Sequence, residues 1–278
     1  MSSTNGSARE QQKVVLVTGA SSGIGAAIAA VLAQQGWRAF GTSRSGAAIA
    51  ASGVEMIALD VDDDGSVERG VATVLARAGR IDALVNNAGW AIMGAVEDTA
   101  VAEAKAQLET NFFGVLRLCR AVLPAMRRQG GGHIVNISSL SGLFGTPFSG
   151  LYSASKFAVE GLSEALRFET RKLGIRVVLI EPGDHASALP AKRRIAEAAS
   201  TNPTYRDAFA RFRANQEKDE AKAPPPDGVA RLVAKVLATA SPRPRYTVGL
   251  LGQRIVAPLK RFLPGKLFEA IVGGAMGV

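Results

Sequence analysis

Continuous apolar runs alternate with amphipathic stretches along most of the chain. The runs KVVLVTG (13–19), WRAFGTS (37–43), VEMIALDV (54–61), IDALVNNAG (81–89), GHIVNISS (132–139), IRVVLIEPG (175–183) and RYTVG (245–249) are β-rich, and several are hydrophobic throughout. Strands buried on both faces of a parallel sheet require that pattern. Helical spacing fills the gaps at Gly23 to Gln35, Val67 to Ala78, Val101 to Gln129, Ser153 to Leu173 and Asp227 to Ala240, with Gly36, Gly79 and Gly174 just past three of the ends. Glycine there suits a left-handed cap. The repeated β-α-β order predicts an α/β fold, a doubly wound parallel sheet of seven strands with helices on both faces, in a single domain over residues 13–278. Right-handed crossovers place its ligand crevice at the strands' C-terminal ends.

Composition narrows the function classes. A chain of 278 residues with 47% hydrophobic content buries a large core. Its net charge of +9 is dispersed, with no run of five or six basic residues, so the excess suits solubility and an anionic cofactor, and no nucleic-acid partner is expected. The single cysteine, Cys119, excludes an internal disulfide, occupies an apolar helical stretch and suits a cytoplasmic location. Residues 1–12, MSSTNGSAREQQ, read as a disordered leader without a targeting signal. The longest stretch free of charge, Gln129 to Ser155, is too broken by glycines, serines and Pro147 to span a membrane.

The first strand runs into TGASSGIG, Thr18 to Gly25. Its glycines permit a tight turn and let the backbone approach a pyrophosphate, while the helix that starts there directs free N–H groups and a positive dipole end at the phosphates. This context predicts a Rossmann-type dinucleotide site. The second strand ends in Ser43 and Arg44 with no carboxylate, so a 2′-phosphate meets no like charge and the Arg44 guanidinium can grip it. The expected cofactor is NADP(H), the alternative for Arg44 being a solvated surface arginine.

TGASSGIG, NNAG (86–89), the asparagine of NFFG (111–114), SS (138–139) and YSASK (152–156) together resemble the short-chain dehydrogenase/reductase family, in its compact single-domain form. The resemblance covers Lys13 to Gly249, and SGLYSASKFAVEGLSEALR is similar to the branch of hydroxysteroid and retinol dehydrogenases. It implies that Tyr152 donates a proton to a carbonyl oxygen while the nicotinamide delivers hydride, and that Lys156 holds the nicotinamide ribose. Spacing supports the pairing: residues four apart on a helix are neighbours, so the Lys156 ammonium would favour the ionised phenol. By the same resemblance Ser139 holds the substrate oxygen, with Ser138 and Ser141 as competitors, and Asn111 holds a water for a proton relay. Cofactor contacts are expected from Gly19, Ser21, Ser22, Gly23, Ile24, Gly25, Ser43, Arg44, Asp60, Val61, Asn87, Ala88, Gly89, Tyr152, Lys156, Pro182, Gly183 and, in place of the family's threonine, Ser187. No metal is expected.

Asp184 and His185 depart from the family pattern, in a position that is usually apolar. Residues 184–226 carry charge around Tyr205, Phe209 and Phe212 and are expected to form a substrate lid. Those aromatics point to a hydrophobic substrate or serve to anchor the lid. The extension 250–278 alternates apolar and basic residues. It would cover the pocket or join a homodimer or homotetramer rather than touch a membrane. The expected function is reduction or oxidation of a carbonyl or alcohol, steroid- or retinoid-like. The alternative is a non-catalytic NADP(H)-sensing or scaffold protein on the same fold, from which the complete Asn, Ser, Tyr, Lys set separates it.

Overall fold

The computed structural model describes residues 12–47, 53–185 and 193–278. Strands β1 (Val14–Val17), β2 (Arg38–Ser43), β3 (Val54–Ala58), β4 (Ala83–Asn86), β6 (Gly132–Ile137), β7 (Ile175–Pro182) and β9 (Arg245–Val248) form one sheet in the order β3-β2-β1-β4-β6-β7-β9. Every pairing is parallel, as the apolar runs predict. Successive side chains point to opposite faces, and both faces are covered. Val15, Val17, Val85, Val135 and Ile180 meet Ile28 and Leu32 of α1 (Gly23–Gln34) and Val229 and Val233 of α7 (Asp227–Leu237). Leu16, Leu84, Ile134 and Leu179 meet α2 (Asp64–Ala78), α4 (Gly114–Arg128) and α5 (Gly150–Thr170) through Val71, Leu118, Val122 and Val159. Cys119 is part of this second layer, where burial pushes its thiol up to about 12.

The strand order reverses between β1 and β4, and the crevice opens above their C-terminal ends. Three features around it differ from the sequence expectation. The helix expected over 101–129 is α3 (Val101–Leu108) and α4 joined by a π-helical turn, Glu109–Phe113. Strands β5 (Ala91–Met93) and β8 (Arg193–Ile195) pair in parallel as a second, small sheet. Helices α6 (Arg206–Ala221), α8 (Leu251–Phe262) and α9 (Gly265–Met276) occupy segments that showed no helical period. On α6, Phe209 and Phe212 are buried against Phe148, with ring centres 5.3 and 5.6 Å apart, so these two aromatics anchor the segment. The leader's residues 1–11 and position 187 lie outside the described residues.

Candidate active site

Past β1 the chain turns through Gly19 (φ 65°) and Gly23 (φ 59°), a left-handed backbone that glycine adopts without cost. Gly25 is fixed by space instead, since a Cβ there would stand 2.5 Å from the Gly19 carbonyl oxygen. The turn is tied to the segment after β4. The Thr18 hydroxyl accepts the N–H groups of Asn87 (2.9 Å) and Ala88 (3.0 Å), and Asn87 Nδ2 donates back to the carbonyls of Thr18 (3.0 Å) and Gly19 (3.3 Å). Thr18 was not singled out in the sequence, although it precedes the glycine turn directly.

Ser22, Gly23 and Ile24 face a cavity of about 600 Å³ together with Asn87 and Gly89. The Ser22 side chain makes no capping bond, which leaves the N–H groups of the first turn of α1 for an anion. These residues fit the diphosphate of a dinucleotide. Arg44 is exposed just past β2 and has no side-chain partner among the described residues, and Ser21 is also exposed. The Ser43 hydroxyl accepts the Gly46 N–H (3.1 Å), and the Asp60 carboxylate accepts that of Asp62 (3.1 Å). Val61 is buried and packs tightly over Gly114, where a Cβ would stand 3.0 Å from its side chain.

Ser139, Tyr152 and Lys156 line the same cavity, as do Pro182 and Gly183. The Ser139 hydroxyl bonds the Tyr152 phenol and accepts the Ser141 N–H at 3.1 Å. Of its competitors, Ser141 pairs with Thr146 (3.1 Å), while the Ser138 hydroxyl is buried beside Glu160 without a hydrogen-bond partner among the described residues. Lys156 is buried, donates to the Ile137 carbonyl at 2.9 Å and stands 5.8 Å from the centre of the Tyr152 ring. Burial raises the phenol above its ordinary value, and the Ser139 bond offsets only part of that. Desolvation is the largest influence on the phenol in this structure. Burial also pulls Lys156 down to about 8, against an upward push from Glu160 one turn further along α5.

Asn111 occupies the π turn and is buried. Its Nδ2 donates to the Trp90 carbonyl (2.9 Å) and the Ser155 hydroxyl (3.0 Å), while Oδ1 accepts the Trp90 N–H (3.1 Å). Both amide hydrogens are spent on joining Trp90, just before β5, to α5, which leaves one lone pair of Oδ1 for a relay water.

The far wall is mixed in character. Leu140, Phe144, Val256, Val272 and Met276 make it apolar, and α8 and α9 supply much of it. Asp184 belongs to this wall and is held by Gln253, which donates to its carboxylate (2.6 Å) and accepts its N–H (3.2 Å). Burial raises the Asp184 carboxyl, and the nearby Asp219 and Glu220 add to that. Arg193 pairs with Glu220 across the lining. His185 is buried with Nδ1 3.0 Å from the Gly183 carbonyl. Nothing in the sequence pattern signalled Gln253, which lies 69 positions from Asp184.

Residues 13–198 match the sequence pattern of the short chain dehydrogenase family. The chain belongs to this family. It is 41% identical over 259 residues to the 3-ketodihydrosphingosine reductase of Bacteroides thetaiotaomicron, covering 93% of this chain and 96% of the relative. A metagenomic short-chain oxidoreductase solved in complex with NADP is 30% identical, with a TM-score of 0.65 over 85% of this chain and 96% of its own. A short-chain dehydrogenase/reductase from Burkholderia phymatum, solved in complex with NAD, is 25% identical, with a TM-score of 0.72 over 84% of this chain and 89% of its own. This short-chain dehydrogenase is an oxidoreductase whose solved relatives take either nicotinamide dinucleotide.

Proposed function

We propose that the chain is an NADP(H)-dependent reductase of long-chain, amphiphilic ketones. The observation that carries the reading is the convergence of the Ser139 hydroxyl, the Tyr152 phenol and the Lys156 side chain on a cavity that also receives the N-terminus of α1. When bound, the nicotinamide supplies hydride to the substrate carbon. Ser139 holds the carbonyl oxygen and Tyr152 gives it a proton. A buried phenol stays protonated at neutral pH, which suits a general acid. Lys156, braced by the Ile137 carbonyl, keeps positive charge beside the ring and holds the ribose. Asn111 supports the site from behind by fixing Trp90 to α5. Arg44, exposed and unpaired among the described residues, suits a 2′-phosphate.

The substrate class rests on the far wall and on the relative that reduces 3-ketodihydrosphingosine, a long-chain ketone with an amino group beside the carbonyl. The apolar side chains of α8 and α9 suit an alkyl chain, and the Asp184 carboxylate on the lining suits an ammonium. NADPH oxidation measured against 3-ketodihydrosphingosine, ketosteroids, retinal, β-ketoacyl thioesters and short aldehydes tests the reading. The long-chain amino ketone is expected to give the highest kcat/KM. A ranking led by short polar aldehydes would refute the substrate class, and absence of turnover with every carbonyl would refute the activity.

A further inference from the structure

Helices α8 and α9 turn one face to the cavity and outward a face that is apolar and, among the described residues, unpartnered. On α8, Gln253 and Val256 line the cavity. On its other side Ile255 (51% exposed) and Phe262 (79% exposed) stand seven residues apart, hence on one face. Arg254 and Arg261, also seven apart, border that face, exposed and without an ion-pair partner among the described residues. On α9, Phe268 and Val272 are buried against Leu140 and Phe144, while Leu267 (49%) and Ile271 (42%) face out one turn apart. Leu250 and Ile271 are exposed and also line the cavity. The apolar ridge therefore reaches the cavity's mouth. From Leu250 to the end, Arg254, Lys260, Arg261 and Lys266 face a single acid, Glu269.

We propose that the outward face of α8 and α9 is a docking surface for an anionic lipid bilayer, on which the enzyme lies with its cavity mouth toward the lipid. An amphipathic helix with apolar residues bordered by arginine or lysine binds in the plane of the headgroups. Each basic side chain near an anionic surface is worth about fivefold in affinity. Charge decides against a second copy of the chain as the occupant, because pairing this face with itself would bring the basic residues together. Exposed Phe262 and Ile255 decide against a purely electrostatic partner, which would leave them in water. Such docking would let an amphiphile pass from the leaflet into the cavity without crossing water.

Sedimentation of the full chain with vesicles of phosphatidylcholine, with and without phosphatidylglycerol, tests this. Binding is expected with the anionic vesicles and should weaken at high salt. Phe262→Asp and the double variant Arg254→Ala/Arg261→Ala should each lower it by about tenfold or more at an unchanged melting temperature. NADPH oxidation with a short soluble carbonyl should be unaltered in Phe262→Asp, whose side chain lies outside the cavity lining. A parent that stays in solution with both kinds of vesicle overturns the proposal. So does a parent dimer that Phe262→Asp splits, since a second copy then covers the face. Vesicle binding without turnover of any carbonyl would overturn the proposed reductase and uphold this surface.

Discussion

The ammonium of Lys156 lies 5.8 Å from the centre of the Tyr152 ring, one turn away on α5. It faces the ring within cation–π range and spends a hydrogen bond on Ile137. The phenol answers first to its own burial, which raises it, and then to Ser139, which lowers it. Tyr152→Phe keeps the ring and the cation–π contact and removes only the acid. Turnover should fall by about 10²- to 10⁴-fold, with fold and NADPH binding retained. Steady-state kinetics beside a fluorescence titration of NADPH checks this, and turnover at the parent rate would exclude Tyr152 as the acid.

Lys156, pulled to about 8, sets a pH limit. If its charge is needed, kcat/KM for reduction is level below that pH and falls about tenfold per unit above it. Tyr152, raised above its ordinary 10.0, does not titrate in this range. Glu160 is the group that pushes Lys156 upward, so Glu160→Gln should move the break to lower pH. The pH profiles of parent and variant decide it. A profile that stays flat well above this value would show that the charge on Lys156 is not required.

Arg44 concerns the choice between dinucleotides. A hydrogen bond from a charged donor contributes roughly 1.5 to 3 kcal/mol, about ten- to a hundredfold in affinity. Arg44→Ala should weaken NADPH by about that factor and leave NADH nearly unchanged, because NADH carries no phosphate there to lose. Dissociation constants for both cofactors with both proteins settle the point. An equal loss for the two, or a parent that prefers NADH, would defeat the assignment.

Behind the site, Arg245 of β9 bonds Glu160 and Glu164 of α5 and, at 2.9 Å, Glu181 of β7. Glu160 and Glu181 are buried, so Arg245→Met leaves two carboxylates without their cation. A loss of about 3 kcal/mol is expected, the low end for a broken buried pair because the arginine is partly exposed. Burial already raises Glu160 above its ordinary 4.5. A carboxyl raised in the folded state costs stability above that value and less as pH falls through it. The variant should thus recover stability relative to the parent in mild acid. Urea unfolding at neutral and mildly acidic pH measures this, and a deficit that grows in acid would contradict it.

The strands were legible because burial on both faces forces continuous apolar runs, as in VVLV of β1 and ALVN of β4. The candidate residues stood out through spacing, Tyr152 with Lys156 above all. What escaped was short or long-range. Strands β5 and β8 have three residues each, too few to show a period. The bond between Gln253 and Asp184 exists only once β9 has brought α8 over the crevice. The terminal helices place Ile255, Phe262 and Leu267 outward, so their apolar residues do not mark a buried stripe.

The π-helical turn at Glu109–Phe113 puts one extra residue into the helix at the point where Asn111 enters the site. Each helical residue turns the axis by about 100°, and a π turn holds one residue more than an α turn. The extra residue is taken up inside the turn, so Val115, Leu118, Cys119, Val122 and Met126 still face the sheet beyond it. Removing one residue here would let α3 and α4 run together as a regular helix with that row still buried, and the loss would fall on the widened turn from which Asn111 reaches Trp90 and Ser155.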